Sequence, residues 1–262
     1  MDEGNLRIFK PEKDLLNTKI IGKKIYYFDL ISSTNDLAYS FAQNGHKEGE
    51  VFVAKGQTQG KGRLGRKWIS IYDKGLYFSI ILRPDILPSD SPKITLLIAM
   101  ALVKALGKIT SDNFSIRWPN DILINNKKIA GILTELNAQA NKTKFIIAGI
   151  GININMKKNE LCENASSLSE EFKKEFALNQ VLEALLKEID QYYCLMKKKG
   201  FGKIIEESKN YSLLLGKRIK VKLPNQEIHG QAIDINKDGA IIIRQDNGFL
   251  KTVNAGDIII IR

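Results

Sequence analysis

Hydrophobic positions along the chain follow two different spacings. Short apolar runs bounded by turn residues predict buried strands, and apolar residues three and four positions apart predict helices. The helical spacing covers residues 34–44, 93–106 and 178–199, and the first of these helices opens with the capping residues Ser33 and Thr34. The predicted strands cover residues 25–28, 51–54, 76–82, 115–118, 121–124, 129–137 and 144–155.

The pattern changes after Gly216, where five short strand-like segments follow one another. Turn residues separate them at 224–225, 237–239 and 246–248. Five short strands separated by turn residues predict a small SH3-like β-barrel. The predicted fold class is α+β, a mixed β-sheet with helices packed on it, followed by the barrel. The predicted boundaries are a short N-terminal extension at 1–22, a main domain at 23–214 and the barrel at 215–262.

The composition narrows the possible chemistry. The 262 residues include 40 Lys and Arg against 29 Asp and Glu, and the net charge of +11 indicates either an anionic partner or a solvated basic surface. Two histidines and two cysteines argue against a Ser/His/Asp hydrolase, a zinc site or a disulfide framework. No apolar run approaches the ~20 residues of a membrane span, and the N-terminus has no signal core, so we predict a cytoplasmic protein.

The most informative segment is the basic stretch KGQTQGKGRLGRKW at 55–68, which has four glycines, five basic residues and no acid. Glycines let backbone N–H groups approach an anion closely, and the basic side chains neutralise its charge. The stretch includes a G-x-G-x-x-G pattern, but neither the helix of a dinucleotide site nor the later kinase motifs follow it. It therefore indicates phosphate or carboxylate binding, with a flexible surface loop as the simpler alternative.

Other segments add polar groups at defined positions. Asp121, in the run Arg-Trp-Pro-Asn-Asp, has the chemistry to hold Mg²⁺ or to accept a proton, and an ordinary turn is the alternative. Lys128 precedes Gly131 in a predicted hairpin, where a cation and an open backbone suit a carboxylate. Gly149 and Gly151 alternate inside an apolar strand, which indicates close approach by a ligand or by another backbone.

In this order and at these spacings, the segments resemble the biotin protein ligase family, over roughly residues 25–262. Lys61 stands where the family usually has arginine, which keeps the charge but loses the bidentate fork. The matching residues are Ser33-Thr34-Asn35, Gln57, Gly60-Lys61-Gly62-Arg63, Gly65-Arg66, Trp68, Trp118-Pro119-Asn120-Asp121, Lys128, Gly131-Ile132-Leu133, Gly149, Gly151 and Asn153.

The resemblance implies a class II synthetase-like catalytic domain and a two-step reaction. Biotin would attack the α-phosphate of ATP, with Mg²⁺ as cofactor, to give biotinyl-5′-AMP. A lysine of the biotin carboxyl carrier domain of acetyl-CoA carboxylase would then take the biotin. We expect no membrane partner and no DNA partner, because no apolar run is long enough for a membrane span and the local positive charge suits a carboxylate and phosphates. Whether the protein is a monomer or a homodimer stays open.

The resemblance also assigns site residues. The catalytic residues would be Arg63, Lys128 and Asp121, and Asp121 would either position Mg²⁺ or act as a base. Biotin would contact Ser33, Thr34, Asn35, Gln57, Gly60, Lys61, Gly62, Arg63, Lys128, Gly131 and Gly149. ATP would contact Arg63, Arg66, Trp68, Asn120, Lys128 and Asn153.

Two alternatives stay open. A lipoate or octanoate ligase would have a similar fold, although the basic loop and the Trp-Pro-Asn-Asp run favour biotin as the substrate. A basic nucleic-acid-binding protein belongs to a different class, and it predicts salt-dependent affinity and aromatic residues among the basic ones, where only Trp68 is found. Residues 1–20 are too few for a DNA-binding head, so we predict a ligase without a repressor domain.

The glycine content and like charges of residues 60–69 predict a loop that is mobile without ligand and ordered by an anion. Limited proteolysis checks this prediction. We expect cleavage within 60–69 in the free protein and protection when biotin and ATP are both added. Equal cleavage with and without the two ligands would contradict it.

Overall fold

The computed structural model describes residues 7–9, 16–223, 226–254 and 256–261. The larger of its two sheets has eight strands. These are β1 (Arg7–Phe9), β2 (Ile25–Ile31), β3 (Val51–Gln57), β4 (Gly75–Leu82), β5 (Ser115–Arg117), β6 (Asp121–Ile124), β7 (Lys127–Gln139) and β8 (Lys142–Asn153). The helices are α1 (Thr34–Gln43), α2 (Ser91–Thr110), α3 (Leu168–Phe172), α4 (Leu178–Lys199) and α5 (Gly202–Lys209).

The strand order in the large sheet is β1-β2-β3-β4-β8-β7-β6-β5. Only β2 and β3 pair in parallel, because α1 carries the chain back across the sheet between them. The other neighbours pair antiparallel, and β7 and β8 form a long hairpin at the centre of the main domain. The sheet is therefore mixed, as the sequence predicts.

Alternation along each strand gives the sheet two different faces. In β4, Leu76, Phe78, Ile80 and Leu82 pack into the cluster that includes α2 and α4. Ile81, with the opposite parity, packs into a smaller aromatic cluster beneath α1. Because side chains alternate with a period of two, the α1 face is the face on which odd-numbered residues of β4 project.

A buried carboxylate joins the start of the main domain to α4. Asp190 is 5% exposed, and its two oxygens accept the backbone N–H groups of Lys19, Ile20 and Ile21 at 2.7–2.8 Å. These three donors precede β2 and have no regular secondary structure to satisfy them. Asp190 thereby replaces a sheet partner for this segment.

The smaller sheet contains five antiparallel strands in the order β12-β11-β10-β9-β13. It contacts the main domain through the indole N–H of Trp118, which donates to the Gly239 carbonyl at 2.9 Å. An ion pair between Lys209 and Asp234 adds a second contact. The strands are β9 (Arg218–Leu223), β10 (Gln226–Ile235), β11 (Ile241–Arg244), β12 (Leu250–Val253) and β13 (Asp257–Ile260).

The predicted strands and the three predicted helices are confirmed to within a few residues at each end. The sequence did not predict β1, α3 or α5, which are short or weakly periodic. Much of the predicted N-terminal extension, residues 1–6 and 10–15, lies outside the described residues, as does the predicted turn at 224–225. Within the described part of the chain, no helix is both long enough and apolar enough to cross a membrane.

Replacing Asp190 by alanine leaves three buried N–H groups without their acceptor. We expect Asp190→Ala to lower the free energy of unfolding by about 3 kcal/mol, measured by urea denaturation. Glu183→Gln, on the same helix in an exposed pair with Lys187, is the control and should change stability by less than about 0.5 kcal/mol. Equal stability of the two variants would show that Asp190 does not anchor this segment.

Candidate active site

The α1 face of the sheet carries a group of small and polar residues where the neighbouring positions are apolar. Ser79 in β4, Gly149 and Gly151 in β8 and Gly131 in β7 all lie on this face. In the strand register, Ser79 is opposite Gly149, and Gly151 is opposite Gly131. The first turn of α1 packs beside them, so the glycines form the floor of a cleft.

The cleft brings most of the predicted site residues together. Its volume is about 50 Å³, far below the roughly 300–1,000 Å³ of ligand pockets. The cleft as it stands is therefore narrower than a ligand of that size needs. The lining residues are Ser33, Thr34, Asn35, Gln57, Lys61, Gly62, Arg63, Trp68, Asn120, Lys128, Gly131, Ile132, Leu133, Gly149, Ile150 and Gly151.

The glycines of the floor are there because other side chains lie directly on the backbone. A Cβ atom on Gly151 would lie 2.4 Å from the Trp68 indole, and one on Gly131 would lie 2.8 Å from it. A Cβ atom on Gly149 would lie 1.9 Å from the Asn35 amide oxygen. The alternating glycines predicted close approach by a ligand or another backbone, and the groups that approach them in the structure are instead the side chains of Trp68 and Asn35.

The start of α1 forms the polar end of the cleft. Ser33 caps the helix by accepting the Asp36 N–H at 3.4 Å. The Thr34 N–H donates to the Gln57 side-chain oxygen at 2.8 Å, which turns the Gln57 amide nitrogen toward the Ser70 hydroxyl at 2.9 Å. Asn35 is 4% exposed and bonds to side chains of the sheet. These groups are uncharged and directional, and they suit a neutral polar ring.

Three basic side chains of the loop contact three different parts of the molecule. Lys61 pairs with Asp36 in α1, and Arg66 pairs with Asp257 in β13. The Arg63 guanidinium donates to the Asn120 side-chain oxygen at 2.8 Å. Lys61 and Arg66 are thus paired with carboxylates at separate points, whereas Arg63 meets an uncharged amide oxygen, and an incoming anion is able to replace each of these partners.

The pKa values of two of these groups shift in opposite directions. The hydrogen bond to Asp36 raises the pKa of the Lys61 ammonium above its ordinary value. Burial lowers the pKa of the Arg63 guanidinium, and the negative charges of Asp257 and Asp121 oppose that shift. An arginine stays protonated through any such shift. Arg63 is therefore a partly desolvated cation in the cleft, where an anion would be attracted strongly.

Asp121 lies between two cations. One carboxylate oxygen is 2.7 Å from the Lys128 ammonium, and the other accepts from the Arg117 guanidinium at 2.7 Å. The Lys128 ammonium also lies 5.2 Å from the centre of the Trp68 ring. Asp121 does not line the cleft itself, and it holds Lys128, which does.

The donor set for a protein-held metal is poor. Within residues 7–9, 16–223, 226–254 and 256–261, no group of three or more His, Cys, Asp or Glu side chains is arranged to hold a metal ion. The one carboxylate predicted as a magnesium ligand, Asp121, already has two cationic partners. The residues present therefore do not fit a resident magnesium site.

Four predicted site residues lie outside the cleft lining. Gly60 forms the base of the loop, where its carbonyl accepts the Trp68 N–H at 2.9 Å. Arg66 points to the barrel, and Asp121 lies behind Lys128. Asn153 is 6% exposed, and its side chain donates to the Ser166 carbonyl at 3.0 Å.

Ser79 and Glu135, which belong to the hydrogen-bond network of the cleft, were absent from the sequence prediction. Ser79, fully buried, bonds to Thr34 and Asn35, and Glu135 accepts from Asn35. Ser79 did carry a signal, since it is the one polar residue inside the apolar strand β4. Glu135 shares its parity along β7 with Gly131, which places both on the cleft face.

Residues 27–153 match the biotin/lipoate A/B protein ligase family, and residues 214–260 match the biotin protein ligase C-terminal domain. The chain is 35% identical over 244 residues to the bifunctional ligase/repressor BirA of Bacillus subtilis, covering 92% of this chain and 75% of BirA. It is 28% identical over 236 residues to the biotin–[acetyl-CoA-carboxylase] ligase of Mycobacterium tuberculosis, covering 88% and 86% of the two chains.

Solved structures similar to this fold also include biotin protein ligases. The biotin protein ligase from Aquifex aeolicus, solved in complex with biotin and ATP, superposes with a TM-score of 0.78 at 30% identity, covering 91% of this chain and 98% of that one. The two matched regions coincide with the cleft-bearing sheet and with the five-stranded sheet. The chain therefore belongs to the biotin protein ligase family.

Proposed function

We propose that this protein is an ATP-dependent biotin protein ligase that forms biotinyl-5′-AMP and transfers biotin to a lysine of a carrier domain. One observation carries the proposal: a single cleft combines uncharged hydrogen-bonding groups at the start of α1 with the cations Arg63 and Lys128. Biotin has the matching division, with a neutral cyclic urea at one end and a carboxylate at the other. The activities named for the relatives support the same reaction.

In the first step, the biotin carboxylate attacks the α-phosphate of ATP, and pyrophosphate leaves. Both reactants are anions, so the main task of the protein is to neutralise their charges and hold them together. Lys128 faces the cleft beside Trp68 and would bind the carboxylate and the α-phosphate oxygens. Arg63 would hold the acyl phosphate, and Arg66 the outer phosphates of ATP.

Trp68 would cover the adenine. Its indole N–H is buried, and it has no hydrogen-bond partner among the residues that the structure describes. Buried donors are nearly always paired in proteins, so a ligand acceptor is a suitable partner for this one. Asn120 would act by holding Arg63, because its side-chain oxygen accepts a hydrogen bond from the Arg63 guanidinium. Asn153 would act by holding the end of β8 against the Ser166 carbonyl.

Asp121 would act by holding Lys128 in place. Its two carboxylate oxygens already contact the Lys128 ammonium and the Arg117 guanidinium, which leaves it a poor metal ligand. We propose that Mg²⁺ enters with ATP as the counter-ion of the phosphates. Magnesium usually keeps several waters and binds mostly through phosphates in such sites.

In the second step, a carrier lysine attacks the acyl carbon of biotinyl-5′-AMP, an amide bond forms, and AMP leaves with the electron pair of the broken bond. The acceptor would be the biotin carboxyl carrier domain of acetyl-CoA carboxylase. We place the reaction in the cytoplasm, because both cysteines are free thiols, as is usual in a reducing compartment.

The direct test is incubation with biotin, Mg·ATP and an apo-carrier domain, with pyrophosphate release and streptavidin blotting as readouts. Lys128→Ala should lower biotin-dependent pyrophosphate release at least about 100-fold, because it removes the charge at the reacting groups. Lys127→Ala is the matched control, since Lys127 is exposed and pairs with Glu171. Release driven by lipoate instead of biotin would favour the lipoate ligase, and near-normal release by Lys128→Ala would contradict the role of Lys128.

Arg63→Gly should separate the two steps. We expect this variant to make biotinyl-5′-AMP but to release it, because the partly buried cation that retains the adenylate is gone. The measurement is biotin labelling of a bystander protein such as albumin, which should rise about tenfold or more over the wild type. Lys67→Gly, an exposed change in the same loop, should leave labelling confined to the carrier. If Arg63→Gly labelled only the carrier, the proposed role of Arg63 in retaining the adenylate would be wrong.

A further inference from the structure

A chain of hydrogen bonds runs through the polar end of the cleft to a carboxylate on β7. The Asn35 amide nitrogen donates to Glu135 at 2.6 Å, and the Asn35 amide oxygen lies 2.6 Å from the Ser79 hydroxyl. The Ser79 hydroxyl is also 2.8 Å from the Thr34 hydroxyl, which lies 3.1 Å from the Gln57 side-chain oxygen. Thr34, Asn35 and Ser79 are all buried.

The protons of this chain have one consistent arrangement. A carboxylate only accepts, so Glu135 turns the amide nitrogen of Asn35 toward itself and the amide oxygen toward Ser79. Ser79 has one proton, and at 2.6 Å it must donate that proton to the Asn35 oxygen, because two acceptors at this distance would repel. The Thr34 proton then goes to Ser79 or to Gln57, and both of these acceptors lie inside the chain.

The arrangement determines what the cleft offers to a ligand. Because the Thr34 proton is used internally, the Thr34 hydroxyl presents only lone pairs to the cleft that it lines. A group that binds there has to donate. The cyclic urea of biotin carries two N–H donors, whereas the dithiolane ring of lipoate carries none. The negative charge on Glu135 thus sets the direction of the hydrogen bonds of Asn35, Ser79 and Thr34 at the cleft.

We infer that Glu135 is a positioning and specificity residue, which fixes the direction of the hydrogen bonds around the biotin head group without touching the ligand. The inference rests on the proposed function for the identity of the ligand. Gly149 belongs to the same arrangement, since only a residue without Cβ leaves room for the Asn35 amide between the strand and Ser79. Without the carboxylate, the Asn35 amide is free to turn over, and Ser79 then donates its proton to Thr34 instead of to Asn35. The Thr34 proton is then held away from the ligand by the longer bond to Gln57 alone, at 3.1 Å.

The test compares Glu135→Gln, which keeps the shape and removes the charge, with Glu135→Asp, which keeps the charge. We expect Glu135→Gln to raise the KM for biotin about 10- to 100-fold in the pyrophosphate assay, with the KM for ATP and the kcat changed less than about threefold. Glu135→Asp should recover most of the affinity for biotin. Asn137→Ala is the control, because Asn137 shares the parity of Glu135 along β7 and its side chain donates to the Tyr39 hydroxyl, which is not part of this hydrogen-bond network.

A double-mutant cycle with Ser79→Ala tests whether Glu135 acts through the series of hydrogen bonds that links it to Thr34. If it does, Glu135→Gln combined with Ser79→Ala should raise the KM for biotin no more than the worse single change. Ser79→Ala alone should also raise that KM, and it provides the same test if the Glu135 variants do not fold. Unfolding midpoints and biotin binding by calorimetry, without ATP, accompany each variant.

Several outcomes would overturn the inference. These are an unchanged KM for biotin in Glu135→Gln, an equal rise in the KM for ATP, no recovery in Glu135→Asp, or multiplied effects in the double variant. Failure of the proposed function looks different, because the wild-type protein would then show no biotin-dependent release of pyrophosphate. An active wild type with indifferent Glu135 variants refutes this inference alone.

Discussion

The site depends on the direct contact of side chains with the backbone of two paired strands, β7 and β8. Trp68 lies on the Gly131–Gly151 pair, and Asn35 lies on Gly149. Any side chain at these positions would push the indole or the amide away, and the cleft would lose a wall or its polar end. The sheet behind them is rigid, since the opposite face packs against α2 and α4 in the main core. Positions in the cleft are therefore determined by the sheet.

The second constraint is electrostatic. A loop with five basic residues and no acid repels itself, and the structure relieves this by pairing Lys61, Arg63 and Arg66 with groups on α1, on the Trp118–Asp121 turn and on the barrel. The pairs of Lys61 and Arg66 are largely exposed, and such pairs stabilise proteins little. Exchange of these partners for carboxylate and phosphate oxygens therefore costs little free energy, which suits the predicted ordering of the loop by an anion.

Local pattern was enough to predict most of the elements. Strands such as β4 and β8 are nearly continuous apolar runs, and α4 has a clear helical spacing. The short strand β1 has too few residues for any periodicity, and it forms because β2 offers an unpaired edge. Helix α5, with only eight residues, is too short for a firm helical pattern.

Within the site, the sequence predicted residues whose type alone is informative, such as the loop glycines and Lys128. It did not predict their partners. Asp257 meets Arg66 from 191 positions away, and Glu135 meets Asn35 from 100 positions away, so only the folded chain brings them together. Asn153 illustrates the opposite case, because its amide is used to hold the Ser166 carbonyl and lies outside the cleft lining.

The Trp118–Asp121 turn has three tasks at once. Trp118 ties the main domain to the barrel through Gly239, Asn120 holds Arg63 of the loop, and Asp121 holds Lys128. These bonds come from residues within one four-residue turn, so the same turn holds both the contact to the smaller sheet and the cations of the cleft. The five-stranded sheet is accordingly hydrogen-bonded to the same turn that holds Arg63 and Lys128 of the cleft, and this turn connects the two mechanically.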